Sequence, residues 1–165
     1  MKSNIQKIVT TSMLAALCCV ATMIIKIPSP LNGYINLGDC IVLLSGWLLS
    51  PAYGFAAAGI GSALADLFSG YVVYAPATFV IKGTMAIIAH YCFKGMHNKF
   101  GNIPSRITGG ILAEIAMVLG YFTFEGFMYG FASSVVNIPG NVVQGASGLI
   151  IGLILVKIFE KSKIF

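Results

Sequence analysis

Residues 37–69 read LGDCIVLLSGWLLSPAYGFAAAGIGSALADLFS, and this run is apolar on both sides of Pro51. Proline breaks or bends a helix at the turn before it. The run therefore forms either two helices, at about 37–50 and 52–69, or one long helix kinked at Pro51. The helix at 37–50 would be short for a membrane span, which usually needs about 20 apolar residues. Hydropathy alone does not choose between five spans and six.

The composition of the whole chain is that of an all-α membrane protein. Its 165 residues are 58% hydrophobic and 9% charged, with a mean hydropathy of +0.91, whereas a soluble domain carries about 25% charged residues. At about 20 residues a span, the length accommodates roughly five to seven helices and no soluble catalytic domain. We therefore predict a single integral membrane domain over 1–165. Its helices are expected at about 8–26, 37–50, 52–69, 76–96, 106–127 and 138–159.

The basic residues favour a bundle of six transmembrane helices. With six spans, the basic clusters at the N-terminus, in the fourth connection and at the C-terminus all fall on one side of the membrane. These clusters are Lys2, Lys7, Lys94, Lys99, Arg106, Lys157, Lys161 and Lys163. Because lysine and arginine are retained on the cytoplasmic side, both termini are predicted to be cytoplasmic. The net charge of +5 therefore does not require a nucleic-acid partner.

The chain lacks the motifs of common enzyme classes. It has no G-x-x-x-x-G-K-[ST] phosphate loop, no H-E-x-x-H motif and no G-x-S-x-G motif. Its four cysteines form no C-x-x-C pair, and His90 and His97 are expected at the inner end of the fourth helix. We therefore predict no catalytic residues, no metal site and no intrinsic cofactor.

Charged side chains inside the predicted spans indicate function. A charge at the centre of a bilayer costs about 2.5–3.5 kcal/mol even on the lenient scale, so such residues face the bundle interior or a polar cavity. Glu160 is expected in solvent at the cytoplasmic end of the last helix. The ionisable residues expected within the spans, mostly in the outer half, are Asp39, Asp66, Lys82, Glu114 and Glu125. The alternative is that Lys82 forms ion pairs with Asp66 and Glu125 that only stabilise the bundle.

Amides and tyrosines are expected at the same level. Asn141 and Gln144 share one helix face because they are three residues apart, and Tyr34 and Tyr74 adjoin outer loops. Tyrosines also populate membrane interfaces without any ligand. The predicted substrate-binding residues are Tyr34, Asn36, Asp39, Asp66, Tyr74, Lys82, Glu114, Tyr121, Glu125, Asn141 and Gln144.

The first predicted helix carries two pairs of small residues. Ser12 and Ala16, and likewise Ala15 and Cys19, are four residues apart, which lets helices approach closely in lipid. These faces pack either inside this chain or against another membrane subunit.

Four segments, in this order and spacing, give the chain a family resemblance. They are GYINLGD at 33–39, DLFSGY at 66–71, APATFVIKG at 75–83 and PGNVVQ at 139–144. Together they resemble the substrate-binding S components of energy-coupling factor (ECF) transporters, in the branch that handles riboflavin, pyridoxine or the hydroxymethylpyrimidine precursor of thiamine. The resemblance runs over nearly the whole chain.

The resemblance implies a vitamin-capturing subunit of a prokaryotic plasma membrane. Its partners would be a transmembrane coupling subunit and two ABC-type ATPases. The ATPases, and not this chain, would bind and hydrolyse ATP. In that family the first outer loop gates the pocket, and small residues on the first helix, often alanines four apart, contact the coupling subunit. This chain departs from the alanine pattern, with Ser12/Ala16 and Ala15/Cys19 instead.

The expected mechanism is capture from outside, with Asn36 and Tyr34 closing above the solute. Two other classes stay open at this stage. A self-sufficient proton-coupled carrier would use Glu114 as a proton relay, and a non-transporting assembly protein would bind no solute.

Overall fold

The computed structural model describes residues 4–29 and 33–161, which are mainly helical. Within these ranges, six helices of ten or more residues follow one another. A short antiparallel hairpin lies after the first helix, and a short helix with a 3₁₀ turn lies before the last. The elements are α1 (Asn4–Ile24), β1 (Lys26–Pro28), β2 (Tyr34–Asn36), α2 (Asp39–Leu48), α3 (Pro51–Phe68), α4 (Ala75–Phe100), α5 (Asn102–Tyr129), α6 (Phe131–Ser134), the 3₁₀ turn (Val135–Asn137) and α7 (Ile138–Lys161).

The run at 37–69 forms two helices rather than one kinked helix. α2 ends at Leu48, Leu49 and Ser50 are extended, and Pro51 opens α3. Proline is favoured at a first helical position because its missing N–H would have no partner there. Nearly every residue of α2 is buried, so this short helix lies in the centre of the bundle. Its side chains Leu43 and Leu44 form the core with Leu14, Met85 and Met117.

The fourth connection is much shorter than the loop expected between the predicted helices at 76–96 and 106–127. α4 continues to Phe100 and α5 begins at Asn102, because Gly101 adopts a positive φ of 82° and turns the chain in one residue. Arg106 is consequently on a helix and buried, and it donates to Glu160 Oε1 on α7 at 2.6 Å. Glu160 is therefore exposed to solvent, as expected, but it is also ion-paired with Arg106.

The connection after α5 also differs from the expected loop. Gly130, with a φ of 91°, ends α5, and the chain then forms α6 and the 3₁₀ turn. The Ser134 hydroxyl donates to the Phe131 carbonyl at 2.9 Å. This compact connection places Asn137 in the interior.

Three described helical segments are long and apolar enough to cross a membrane. They are Asn4–Ile24, Asn102–Tyr129 and Phe131–Lys161. α4, which carries Lys82, His90 and Lys94, is not among them. The basic residues Lys2 and Lys163, which contributed to the predicted topology, lie outside the described residues.

Candidate functional site

A cavity lies where the β1–β2 hairpin meets the adjacent ends of the helices. Residues of α1, α3, α4, α5 and α7 form its walls, and the hairpin and the loop before α4 cover it. The lining residues are Thr22, Ser29, Gly33, Tyr34, Asn36, Ser62, Asp66, Tyr71, Tyr74, Thr78, Lys82, Tyr121, Glu125, Asn141 and Gln144. Polar side chains from separate helices therefore meet in one place.

Asp39 organises the floor of this cavity. It lies in the first turn of α2 and is fully buried, where it forms an ion pair with Lys82 of α4. Its second oxygen, Oδ2, accepts a hydrogen bond from Gln144 Nε2 at 2.7 Å. Both carboxylate oxygens are thus satisfied, which a buried charge requires. A Cβ at Gly148 would lie 2.6 Å from Asp39 Cβ, so this glycine lets α7 approach α2.

The same network reaches the hairpin through an amide pair. Gln144 Oε1 accepts from the backbone N–H of Asn36 at 2.9 Å and from Asn36 Nδ2 at 3.3 Å. Asn36 Oδ1 in turn accepts from the backbone N–H of Gly38 at 2.8 Å. The end of β2 is therefore tied to the buried ion pair through Gln144.

Tyr34 covers Asp66 from the hairpin. The Tyr34 hydroxyl donates to Asp66 Oδ1 at 2.6 Å, and its ring lies 4.6 Å, between centroids, from that of Tyr71. Burial, and then the bond to Asp66, raise the pKa of Tyr34 well above its usual range. The hydroxyl therefore stays protonated and remains a donor.

A second carboxyl group, Glu125 of α5, lies on the other side of the cavity. Its Oε1 accepts from Asn137 Nδ2 at 2.9 Å and from the Tyr74 hydroxyl at 3.4 Å. Burial, followed by the proximity of Glu125, raises the pKa of Tyr74, so this hydroxyl also stays protonated. The Tyr121 hydroxyl donates to Thr78 Oγ1 at 3.1 Å, and the Lys82 ammonium lies 5.4 Å from the Tyr121 ring centroid.

The cavity retains unused hydrogen-bond acceptors. Among the described residues, Asp66 Oδ2, Glu125 Oε2 and Thr22 Oγ1 are buried without a hydrogen-bond partner. A buried polar atom left unpaired costs about 1–3 kcal/mol. A molecule that brought N–H or O–H donors into the cavity would therefore gain this energy.

The cavity is narrow in this conformation. Its free volume is about 30 Å³, which is room for about two water molecules at 10–15 Å³ each. A larger molecule requires an outward movement of the residues that cover the cavity, which are Ser29, Gly33, Tyr34, Tyr71 and Tyr74.

The structure places the predicted binding residues in three groups. Nine of them line the cavity: Tyr34, Asn36, Asp66, Tyr74, Lys82, Tyr121, Glu125, Asn141 and Gln144. Asp39 lies directly beneath it as the partner of Lys82 and Gln144. Glu114 instead lines a separate apolar groove between α5 and α7. The lysine pairs with Asp39, not with Asp66 or Glu125 as the alternative interpretation expected.

Several polar residues of the site were missed by the sequence reasoning. Thr78 lies one helical turn before Lys82 and so shares its face, a signal that the sequence contained. Thr22 brings α1 into the site, although that helix has no charge between Lys7 and Lys26. Asn137, which bonds to Glu125, had no sequence signal because its position depends on the 3₁₀ turn. Within 4–29 and 33–161, no three potential metal ligands come together.

A family model described as "ECF-type riboflavin transporter, S component" matches residues 2–161. The chain belongs to this S component family. It is a family of membrane transport subunits, not of enzymes.

Relatives and a solved structure agree with this assignment. This S component is 42% identical over 134 residues to an uncharacterized protein in the gap 3'region of Pyrococcus woesei, a match covering 81% of this chain and 87% of that protein. It is 24% identical over 163 residues to the thiamine precursor transporter HmpT of Lactococcus lactis subsp. cremoris strain MG1363, covering 98% and 92%. The solved S component of a bacterial ECF transporter superimposes with a TM-score of 0.73 at 25% identity, covering 96% of this chain and 98% of that one.

The two small-residue pairs on α1 of this S component have different surroundings. Ser12 and Ala16 are exposed, in a stripe with Val9, Met13 and Val20. Cys19 is buried, and the Ala15 carbonyl oxygen lies only 2.4 Å from where a Cβ of Gly61 would be. The Ala15/Cys19 face therefore packs inside the chain, against α3, and the Ser12/Ala16 face points outward.

Proposed function

We propose that this S component binds a small, donor-rich heteroaromatic vitamin or vitamin precursor, of the pyridoxine or hydroxymethylpyrimidine type, in the cavity under the hairpin. Uptake would require a transmembrane coupling subunit and two ABC-type ATPases, which supply the ATP hydrolysis. In this proposal the chain crosses a prokaryotic plasma membrane six times with both termini in the cytoplasm, and the cavity faces outward. The basic clusters along the sequence support this orientation.

One observation carries the choice of solute: two buried carboxyl groups on opposite walls each keep a free oxygen. These are Asp66 Oδ2 and Glu125 Oε2. Hydrogen bonds from amino or hydroxyl groups to carboxylates are charge-assisted and stronger than neutral ones. An amino group and a hydroxymethyl group on one ring would supply a donor for each of these two oxygens. Tyr34, Tyr71 and Tyr74 provide aromatic surface for the ring.

The charge balance of the cavity disfavours anionic solutes. Lys82 is its one buried ammonium group among the described residues, and Asp39 already neutralises that charge. A carboxylate or phosphate on the solute would face Asp66 and Glu125 without a free cation. A neutral or protonated ring base avoids this repulsion.

The size of the cavity favours a single ring over the three fused rings of riboflavin. The free volume is about 30 Å³, so a one-ring solute demands the smaller outward movement of the cover. The similarity to the Lactococcus lactis thiamine precursor transporter supports the same choice, whereas riboflavin is the solute named in the family description.

The exposed stripe on α1 is our candidate for the contact with the coupling subunit. Ser12 and Ala16 keep it shallow enough for another helix to approach closely in lipid. Ala15 and Cys19 are excluded from this role in the proposal because they face the interior.

The test is equilibrium binding to the purified protein in detergent. Hydroxymethylpyrimidine, pyridoxine and riboflavin are titrated separately by calorimetry, and native mass spectrometry identifies any retained molecule. We expect one-ring solutes to bind, and Asp66→Asn and Glu125→Gln each to weaken binding about tenfold or more, since each removes a charged acceptor worth about 1.5–3 kcal/mol. Glu160→Gln, at the far end of α7, is the matched control and should bind like wild type.

Two outcomes would contradict the proposal. Unchanged affinity in both cavity variants would show that the solute binds elsewhere. Uptake by the chain alone in liposomes, without ATP or partners, would instead identify a self-sufficient carrier.

A further inference from the structure

A second concave site lies outside the cavity, between α5 and α7. It has a volume of about 360 Å³, which is within the range of about 300–1,000 Å³ typical of small-molecule sites. Its walls are almost entirely apolar, and several of them belong to the exposed faces of the two helices, including Ile115, Leu119 and Val142. In a membrane this groove would open sideways to the lipid.

One carboxyl group lies in this apolar wall. Glu114 lines the groove, is 8% exposed, and has no hydrogen-bond partner for either oxygen among the described residues. Its Oε2 would be 2.8 Å from a Cβ at Gly145, so the glycine leaves the space that the carboxyl occupies. An unsatisfied buried carboxyl is costly. The charges of Asp39 and Lys82 act on Glu114, but among the described residues none donates a hydrogen bond to it.

The depth of Glu114 restricts what can satisfy it. The residue is midway along α5, twelve residues after Asn102, or about 18 Å at 1.5 Å per residue. Lipid headgroups do not reach this depth in a bilayer whose hydrocarbon core is about 30 Å thick. The donor must therefore arrive on a molecule that partitions into the hydrocarbon region and fills an apolar groove.

We propose that the α5–α7 groove is a second binding site for a small apolar alcohol or amine dissolved in the membrane, with Glu114 accepting its hydrogen bond. Asn141 lines both the groove and the cavity. A molecule in the groove therefore contacts a residue that also faces the vitamin site. The groove itself is independent of the function proposed for that site.

The test uses a hydrophobic carbodiimide, which attaches to carboxyl groups that are reachable from lipid. The full chain is reconstituted in phosphatidylcholine nanodiscs and treated with dicyclohexylcarbodiimide, and peptide mass spectrometry measures the labelling rate of Glu114. We expect Glu114 to be labelled, and 1-decanol to slow this labelling about fivefold relative to undecane, which fits a hydrogen bond of about 1 kcal/mol. The alkane has a similar length but lacks the donor.

Two variants keep the result interpretable. Ala146→Phe fills the groove from α7 and should slow labelling of Glu114, whereas Val143→Phe, an exposed position on the same helix outside the groove, should not. Fluorescence of Trp47 checks that both variants are folded. The proposal would be overturned if decanol and undecane slowed the labelling of Glu114 equally. It would also be overturned if Glu114 were not labelled in the folded protein, or if Ala146→Phe were labelled at the wild-type rate.

Discussion

Replacing Asp39 with asparagine should destabilise the protein by about 3–5 kcal/mol, because it leaves the ammonium group of Lys82 buried without its ion-pair partner. Asp39 and Lys82 have side-chain exposures of 0% and 3%, so bulk solvent does not reach the pair. The asparagine still reaches Gln144, so the lost charge dominates the effect. For a chain of this length, about 2–4 °C per kcal/mol converts the loss into a fall in melting temperature of about 6–20 °C.

The assay is thermal unfolding in detergent followed by tryptophan fluorescence. Trp47 is the single tryptophan of the chain and is buried on α2, the helix that also carries Asp39. The double variant Asp39→Asn/Lys82→Met removes the stranded charge and should recover most of the loss, since uncharged replacement of a buried pair is often nearly neutral. Asp66→Asn is the matched carboxyl-to-amide control, with an expected loss below about 1 kcal/mol, because an amide oxygen still accepts from Tyr34. If Asp39→Asn had the melting temperature of wild type, or if the double variant had the melting temperature of Asp39→Asn, the ion pair would not stabilise this fold.

Three further perturbations test other parts of the structure. Gly148→Ala should lower the free energy of unfolding by about 1–3 kcal/mol, because the added methyl group overpacks against Asp39. Gly95→Ala has open space around it on α4 and should instead raise the free energy of unfolding by about 0.5–1 kcal/mol through helix propensity. Both are measured by thermal unfolding, and equal shifts in melting temperature would contradict the close approach of α7 to α2. Tyr34→Phe removes the hydroxyl that donates to Asp66 and should speed solute dissociation in stopped-flow measurements. Tyr53→Phe, outside the cavity, is the control. An unchanged dissociation rate in Tyr34→Phe would show that this hydrogen bond does not keep the cavity covered. Ala16→Trp should abolish co-purification with the coupling subunit while leaving solute affinity unchanged. The control Ile150→Trp, on the exposed face of α7, should still co-purify. If Ala16→Trp kept the complex, the Ser12/Ala16 face of α1 would be excluded as the docking surface.

The positions of the helices were largely accessible from the sequence, because long apolar runs and turn residues are local properties. The break at Pro51 is an example, since proline favours the first turn of a helix whatever its tertiary neighbours. The fourth connection shows the limit. Gly101 alone turns the chain there, and the charged residues around it continue the two helices because α4 and α5 pack closely along their length.

The gathering of polar groups was also predictable, whereas their pairing was not. Burying Asp66, Lys82 and Glu125 separately in lipid is costly, so their presence in apolar segments indicated a shared polar interior. The partner of Lys82 had to be found in the structure, because Asp39 is brought to it by the central position of α2 in the bundle. The pairing of Arg106 with Glu160 has the same origin, in the contact between α5 and α7.

The sequence by itself determined the class of the protein, its helical segments and the residue types available for binding, because hydropathy, proline and charge act over a few residues. Only the tertiary structure decided which acid neutralises Lys82, which acceptors remain free, and which face of α1 points outward. Those properties depend on contacts between residues far apart in the chain. The helical period shows which residues share a face of a helix, but it does not determine which neighbouring helix that face will contact.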